Sequence, residues 1–170
     1  MLKQILVAAV ALTPLAAAAQ DATTLVFPSS TSTAVVPVLP QLQSGCSPTL
    51  LTRSAAQVWA DHLDALQKGD IDRAMCDYAA NAKVIMPGSV ASGAAAIRAG
   101  FLQFGALVGF ATPTITSVTI DYEIILSTFS LLASPTGVTI PDGSDTFVVR
   151  FGLIQYQTVH AALVFASGSP

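Results

Sequence analysis

Apolar residues recur with helical spacing over residues 54–68. At 100° per residue, one arc of this segment collects its apolar side chains together with His62. Ser54 and Gln57 stand three residues apart in a capping-box pattern, and Gly69 is the kind of residue at which helices end. The pattern predicts a helix over 54–68 whose apolar face carries a titratable ring at its centre.

His62 has two interpretations on this helix. Burying an unpaired polar group costs about 1–3 kcal/mol, so the ring needs either a hydrogen-bond partner or a cavity. It is either a core histidine bonded to a backbone carbonyl or a carboxylate, or an acid–base group that lines a pocket. The helix alone favours the core histidine and leaves the pocket open.

A second short helix is predicted directly after the first. Asp70 can cap it, and Ile71, Ala74, Met75 and Tyr78 fall at i, i+3, i+4 and i+7, which forms one apolar face. We expect Tyr78 to pack in the core from this helix, with its hydroxyl at a polar edge.

Beyond this point the pattern changes from helical to strand-like. The predicted elements are a short strand over 82–88, a third helix over 92–107, two strands after Pro113 with a turn near 121–123, breakers at "SPTG" and "PDGS", and a hairpin turning at Phe151–Gly152. This order predicts an α+β fold in which about three N-terminal helices pack on one face of a curved antiparallel sheet.

Composition restricts the class of protein. The chain has 170 residues, of which 52% are hydrophobic and 10% charged, enough for one well-buried domain. The net charge of −3, without a basic run, argues against a nucleic-acid surface. No cluster of His and Cys has the spacing of a metal site, so no metal is expected.

The N-terminus has the pattern of a secretory signal peptide. Lys3 precedes an apolar run over 5–12, and small residues end at Ala19. The run is short for a membrane anchor, which needs ~20 apolar residues, and Pro14 interrupts it. We therefore expect a secreted protein, extracellular or periplasmic, that does not associate with a membrane after cleavage. The expected organisation is a signal peptide over 1–19, a Ser/Thr/Pro-rich arm or linker over 20–50, a domain over 51–166 and a tail over 167–170.

The chain contains two cysteines, Cys46 and Cys76. In an oxidising compartment an even number of cysteines suggests a disulfide, which would tie the arm to the second helix. The alternative is a pair of buried free thiols.

Two stretches carry a resemblance to a known family. "ALQKGDIDRAMCDYAANAKVIMPGSVASGAAAIRAGF" and "DTFVVRFGLI" resemble the ordered motifs of nuclear-transport-factor-two-like proteins, in the SnoaL-like group. The resemblance covers residues 54–165 and implies a cone: a bent sheet wrapped around helices, with an apolar pocket between them. The superfamily includes ketosteroid-isomerase-like, dehydratase-like and polyketide-cyclase-like enzymes as well as binding modules, so the fold alone does not choose a function.

Three positions of the ketosteroid-isomerase-like members can be located by this resemblance. A tyrosine of the first helix corresponds to His62, the general base corresponds to Met86, and the acidic oxyanion-hole residue corresponds to Asp145. A thioether cannot remove a proton, so the isomerase base is missing. The resemblance implies that His62 and Asp145 form a catalytic acid–base pair in which Asp145 orients the imidazole. Alternatively, Asp145 only satisfies His62 in the core or only begins a strand.

The remaining candidates would contact a ligand. These are Trp59, Tyr78, Met86, Phe101 and His160. Each also has a structural interpretation: the aromatic residues as core, and His160 as an exposed or interface residue whose orientation on the last strand the pattern leaves open.

Three functions remain open at this stage. The first is a cofactor-independent isomerase, cyclase or dehydratase acting on an apolar, oxygenated small molecule such as a polyketide or terpenoid. The second is a secreted module that binds an apolar ligand without chemistry, which the methionine in place of the base favours. The third is a homodimer-forming module that uses the outer face of the sheet.

Overall fold

The computed structural model describes residues 40–166, so the predicted signal peptide, most of the arm and the tail lie outside the described residues. The helices are the 3₁₀ helix Pro48–Thr52 and the α-helices α1 (Ala55–Gln67), α2 (Ile71–Met75) and α3 (Ala94–Leu107). None of the described helices is both long enough and apolar enough to cross a lipid bilayer.

The strands form one bent sheet. They are β1 (Tyr78–Met86), β2 (Ser89–Ser92), β3 (Thr114–Asp121), β4 (Ile124–Leu131), β5 (Val138–Arg150), β6 (Leu153–Ala161) and β7 (Val164–Phe165). The spatial order is β2-β1-β6-β5-β4-β3, with β7 paired to β5. The predicted α+β fold is confirmed. The sheet is mixed, however, because β1 runs parallel to β6 while the other described pairs are antiparallel.

The first helix forms as its sequence pattern predicts. Ser54 and Gln57 make both halves of a capping box, which supplies partners to backbone N–H groups that the helix leaves free. Val58, His62 and Ala65 point inward at i, i+4 and i+7 and are buried against the sheet. His62 is therefore positioned by regular helix geometry.

The second helix is shorter than predicted, and Tyr78 belongs to the sheet. Ile154 donates its backbone N–H to the carbonyl of Asp77, 2.7 Å away, and Tyr78 pairs with Ile154 in the parallel register. This pairing with a strand more than seventy residues later ends α2 at Met75. The prediction that Tyr78 lies on the second helix is therefore wrong.

The "PDGS" segment is not a break between elements, because it lies inside β5. Phe129 is opposite Gly143, whereas Leu131 is opposite Ile140, so β5 carries an extra residue and forms a bulge. Pro141 has no backbone N–H, and it is tolerated at the bulge because no hydrogen bond of the sheet is needed from that residue. A Cβ at Gly143 would lie 2.5 Å from the Phe129 ring, so the close approach requires glycine. The "SPTG" turn forms as predicted.

The N-terminal arm is attached to the domain at several points. The predicted Cys46–Cys76 disulfide is present, with Cα atoms 5.6 Å apart. Gln43 donates its side-chain amide to the carbonyls of Met75 and Tyr78 at 2.5 and 2.9 Å. The arm thus holds the short segment that links α2 to β1.

Buried apolar side chains gather in two clusters. One lies between α1 and the inner face of β1, β5 and β6, and includes Val58, Ile97 and Phe147. The other lies at the far end of β4 and β5, beside the end of α3, and includes Val108 and Phe129. Side chains from both clusters, Ile97 and Phe147 of the first and Val108 and Phe129 of the second, also line the cavity that holds the candidate site.

Candidate functional site

A cavity of about 450 Å³ lies between α1, α3 and the concave face of the sheet. Its walls are mainly apolar, and the polar residues among them are His62, Gln67, Lys68, Thr112, Asp145 and Gln157. This combination of size, apolar lining and a few polar groups is typical of sites for small organic molecules.

His62 lies in the wall of this cavity and is almost fully buried. Its Nδ1 is 3.2 Å from Oδ2 of Asp77. Its Nε2 is buried and has no hydrogen-bond partner within residues 40–166. Because a carboxylate accepts, Asp77 favours the tautomer with the proton on Nδ1, which leaves a lone pair on Nε2. One nitrogen of His62 is therefore satisfied by Asp77 in the core, and the other is a buried polar atom without a partner among the described residues.

Asp77, rather than Asp145, is the carboxylate bonded to the imidazole, which corrects the expectation from the resemblance. The Asp77 charge is compensated by Arg53, whose Nη1 lies 2.7 Å from Asp77 Oδ1 and 2.9 Å from Asp61. Arg53 also donates to the backbone carbonyl of Gly152 at 3.0 Å. The guanidinium thus connects α1, the α2–β1 link and the β5–β6 turn around one buried carboxylate.

Aromatic rings enclose the imidazole. The ring centroids of Tyr78, Phe147 and Phe101 lie 5.4, 5.8 and 6.2 Å from that of His62, all in edge-on arrangements. Such contacts restrict the rotation of the ring and keep water from its faces. The orientation of His62 is therefore fixed by Asp77 through a hydrogen bond and by its neighbours through packing.

Asp145 provides the second titratable group of the cavity. It lies on the inner face of β5, opposite Ser127 of β4 and Val159 of β6. Burial raises its pKa from 3.8 to about 7, and a hydrogen bond with Gln157 partly opposes this rise. Its Oδ1 is buried and unpartnered among the described residues. A carboxyl group that titrates near neutral pH therefore lies beside the same apolar cavity as His62.

The other residues predicted to contact a ligand fall into two groups, those that line the cavity and those that do not. Trp59, Met86 and Phe101 line the cavity, as expected. Tyr78 is fully buried on β1, outside the cavity wall, and its hydroxyl donates to Gln157 at 2.5 Å. His160 is exposed on the outer face of β6, where the strand's alternation places it with Tyr156 and Thr158. Neither Tyr78 nor His160 therefore lies in the wall of this cavity, and their contact with a ligand stays a prediction.

Sequence reasoning missed Asp77, Arg53 and Gln157. Asp77 stands between the bridge cysteine and Tyr78, and Gln157 is a polar residue at an inward position of β6. The only available signal was their polarity inside otherwise apolar segments. Their meeting depends on the parallel β1–β6 register, which no local pattern specifies.

The site has the parts of an acid–base centre. It contains an imidazole nitrogen, Nε2 of His62, without a hydrogen-bond partner among the described residues, and a carboxyl group, that of Asp145, whose pKa burial raises to about 7. Among residues 40–166, no three His, Cys, Asp or Glu side chains group closely enough to hold a metal ion. The chemistry available from these side chains is proton transfer to or from a ligand held by apolar walls.

Comparison with known proteins identifies the fold. No protein-family model matches the chain, and no curated protein matches its sequence. Solved structures do match, including an NTF2-like protein of unknown function from Burkholderia pseudomallei, with a TM-score of 0.57 and 11% identity over 64% of this chain and 90% of that one.

Two further matches carry more specific names. A candidate polyketide cyclase from Sinorhizobium meliloti has a TM-score of 0.54 and 17% identity, covering 61% of this chain and 94% of that one. TerC, co-crystallised with polyporic acid, has a TM-score of 0.54 and 12% identity, covering 64% of this chain and 91% of that one. Identities this low establish architecture and not chemistry. Together with the described topology, these matches show that the chain has the NTF2-like cone fold that its sequence motifs resemble.

Proposed function

We propose that the protein is a cofactor-independent acid–base enzyme of the isomerase, cyclase or dehydratase type. Its substrate would be an apolar small molecule that carries a carbonyl group, such as a polyketide or terpenoid. The observation that carries the proposal is His62, whose Nδ1 is bonded to Asp77 and whose Nε2 has no described partner, in the same apolar cavity as Asp145.

His62 is the base in this proposal. Its Nε2 removes a proton from the carbon next to the substrate carbonyl, so that a C–H bond breaks and an N–H bond forms. The electron pair from the C–H bond forms a carbon–carbon double bond, and the carbonyl π electrons move to oxygen. Asp77 stabilises the resulting imidazolium, and Arg53 balances the charge of Asp77.

Asp145 is the acid. It gives its proton to the carbonyl oxygen as negative charge develops there, which produces an enol and an Asp145 carboxylate. This role needs the neutral form of Asp145, whose pKa is raised to about 7 by burial. The Asp145 carboxylate then takes back the enol O–H proton as the carbonyl re-forms. The imidazolium gives its proton either to a different carbon, which yields an isomer, or to a hydroxyl group on the neighbouring carbon, which leaves as water and yields a dehydration product.

Structural neighbours support the class of ligand. One matched structure is a candidate polyketide cyclase, and another was co-crystallised with polyporic acid. The apolar walls of the cavity favour an apolar molecular body, and the few polar groups favour an oxygenated end.

A non-catalytic binding module is the second candidate function. Met86 lines the cavity at the position that the resemblance assigns to the base of ketosteroid-isomerase-like enzymes. A thioether there widens the apolar surface and adds no proton acceptor. In this case His62 and Asp145 would only hydrogen-bond an oxygenated ligand.

Solvent deuterium exchange separates the two functions without knowledge of the true substrate. Trp59 is the only tryptophan and lines the cavity, so quenching of its fluorescence identifies binders in a panel of enolisable aromatic and terpenoid ketones. Binders are then incubated with the protein in D₂O, and mass spectrometry measures deuterium at the α-carbon. His62→Gln is the test variant, and His160→Gln, which changes the exposed histidine, is the matched control.

The enzyme proposal predicts exchange with the wild type and the His160→Gln variant and at least a 100-fold loss with His62→Gln. Binding without exchange by the wild type would contradict the enzyme and favour the binding module. If no ketone quenched Trp59, both candidate functions would lose their ligand class.

We also propose that the protein is exported. The disulfide supports this proposal, because such bonds persist mainly in oxidising compartments. Mass spectrometry of protein recovered from the medium or periplasm should find a mature N-terminus near Gln20. Full-length protein retained in the cytoplasm with two free thiols would contradict it.

A further inference from the structure

The mouth of the cavity is marked by the wall residues that are exposed to solvent. They come from two segments, the end of α1 and the segment from the last turns of α3 to the residues before β3. These exposed wall residues are Gln67, Lys68, Gly69, Phe104, Phe110 and Thr112. His62 and Phe147 line the same cavity and are buried. The cavity therefore runs from these buried groups to an opening between the ends of α1 and α3.

Phe110 has an unusual backbone conformation at this mouth. Its φ is +54°, in the left-handed region that bulky side chains rarely adopt. Its N–H donates to the carbonyl of Gly105 at 2.6 Å, a bond that closes the end of α3. The chain is thus bent so that the side chain of Phe110 returns to the helix. Strained residues of this kind cluster at active sites and at the clamps that hold ligands.

The ring of Phe110 packs on Gly105, a glycine inside α3. A Cβ at Gly105 would lie 2.5 Å from Cε1 of the ring, so no larger residue fits there while the ring keeps its place. Glycine inside a helix is less favourable than alanine, and here its missing side chain leaves space for an aromatic ring. Phe110 nevertheless remains 63% exposed. Packing within the protein therefore accounts for only part of this arrangement.

Aromatic side chains connect the buried end of the cavity with its mouth. The ring centroid of Phe101 lies 6.2 Å from that of His62. Phe104 follows three residues later on α3, which is about 4.5 Å further along the helix axis, toward Phe110. An elongated ligand that enters beside His62 would thus contact aromatic rings along its length.

The charge at the mouth restricts the kind of group that fits there. Lys68 is the only charged side chain among the exposed residues of the described cavity wall, and its ammonium group pairs with Asp64 at 2.8 Å. The mouth therefore favours an uncharged group. Phe104 and Phe110 favour an aromatic one, because two aromatic rings stabilise each other beyond the effect of the area that they bury.

We propose that Phe104 and Phe110 form an outer subsite for an uncharged aromatic ring of the ligand, and that Phe110 is its specificity-determining residue. The carbonyl end of the same molecule lies inside, on the side of His62 and Asp145. The inference rests on the proposed function and narrows its substrate class to elongated ketones that carry an aromatic ring at the end remote from the carbonyl.

Paired ketones measure this preference for an aromatic ring. One series consists of methyl ketones with a phenyl ring at the end of alkyl chains of increasing length, and the other carries cyclohexyl in place of phenyl. Quenching of Trp59 fluorescence gives the Kd of each ketone. The phenyl preference is the Kd of the cyclohexyl ketone divided by that of the phenyl ketone with the same chain. In the wild type it should rise once the chain is long enough for its ring to reach Phe110.

The variants show whether Phe110 causes this rise. Phe110→Leu keeps an apolar side chain without the ring, and it should lower the phenyl preference of the long ketones by about 3–10-fold and leave that of the short ones unchanged. Gly105→Ala displaces the ring and should have the same effect, and the double variant should match Phe110→Leu. Phe151→Leu is the matched control, because Phe151 is also exposed with a positive φ and lies outside the cavity wall.

The inference is overturned if Phe110→Leu folds, judged by its amide spectrum, and keeps the wild-type phenyl preference at every chain length. The proposed function survives that result, since the ketones still bind. If Phe110→Leu does not fold, an unchanged preference in Gly105→Ala overturns the inference by itself. A wild type that binds none of the ketones refutes the outer subsite together with the ligand class of the proposed function.

Discussion

The buried carboxyl of Asp145 should make the protein less stable as the pH rises. Its pKa is about 7 in the folded protein, because burial penalises the charged form, against an ordinary value of 3.8. Between these two values the folded protein keeps a proton that the unfolded chain releases. The contribution of Asp145 to stability is therefore fully present below about pH 4 and is lost as the pH rises through about 7.

The size of the loss follows from linkage. Each pH unit between the two pKa values changes the free energy of unfolding by about 1.36 kcal/mol, so the whole interval corresponds to about 4 kcal/mol. The interval from pH 5 to the folded pKa of about 7 covers two pH units, so the free energy of unfolding falls by about 3 kcal/mol over it. Above pH 7 the effect of Asp145 no longer changes with pH. Native domains are stable by only about 5–15 kcal/mol, so a change of this size is easily measured.

Asp145→Asn removes the titration with little change in shape. Between pH 5 and pH 8.5, we expect the free energy of unfolding of the wild type to fall by about 3 kcal/mol relative to that of this variant. Both are measured by urea unfolding with Trp59 fluorescence. Asp142→Asn makes the same charge change at an exposed position of the same strand and should show no such difference. Parallel pH profiles for Asp145→Asn and the wild type would refute the reasoning, because they would mean that Asp145 titrates like a solvated carboxylate.

The disulfide and the buried ion pair give two further predictions. Replacing Cys46 and Cys76 together with serine opens a loop of 30 residues and should lower the free energy of unfolding by about 3–4 kcal/mol, measured by urea unfolding; equal stability of the double variant and the oxidised wild type would contradict this. Arg53→Met leaves the Asp77 carboxylate buried without its guanidinium and should cost about 3–5 kcal/mol. Arg150→Met, which breaks an exposed ion pair, should cost less than about 1 kcal/mol, and equal losses for the two arginine variants would show that the Asp77 charge is solvated.

Much of the candidate site could be predicted from local pattern. The helical spacing of residues 54–68 places His62 on the buried face of α1, whereas the inward position of Asp145, on the same side of β5 as Phe147, was implied only by the family resemblance. The capping residues and the turn at Phe151–Gly152 are also local features, and they form as expected. These predictions succeeded because each depends on neighbours within a few residues along the chain.

The partners of these groups could not be predicted in the same way. Tyr78 fits the apolar face of a helix by its spacing, yet its backbone pairs with Ile154, and this long-range pairing outweighs the local preference. Asp77 directly precedes Tyr78, and its carboxylate lies beside Nδ1 of His62. The resemblance had implied that Asp145 would take this position. The orientation of His160 became clear only from the register of β6 against β5.

The sequence by itself determined which side chains lie on the inner faces of α1 and the strands, because periodicity along one element decides that. It therefore determined an apolar interior with an imidazole on the inner face of α1, and the family resemblance added the cone shape and the carboxyl group of Asp145. Only the tertiary structure decided how these groups are paired. The packing of α1 on the sheet places His62 against Asp77, and the β1–β6 pairing brings the Tyr78 hydroxyl within reach of Gln157. Burial in the assembled core raises the pKa of Asp145. Pairing and desolvation depend on residues that are distant in sequence, and such contacts exist only once the chain has folded.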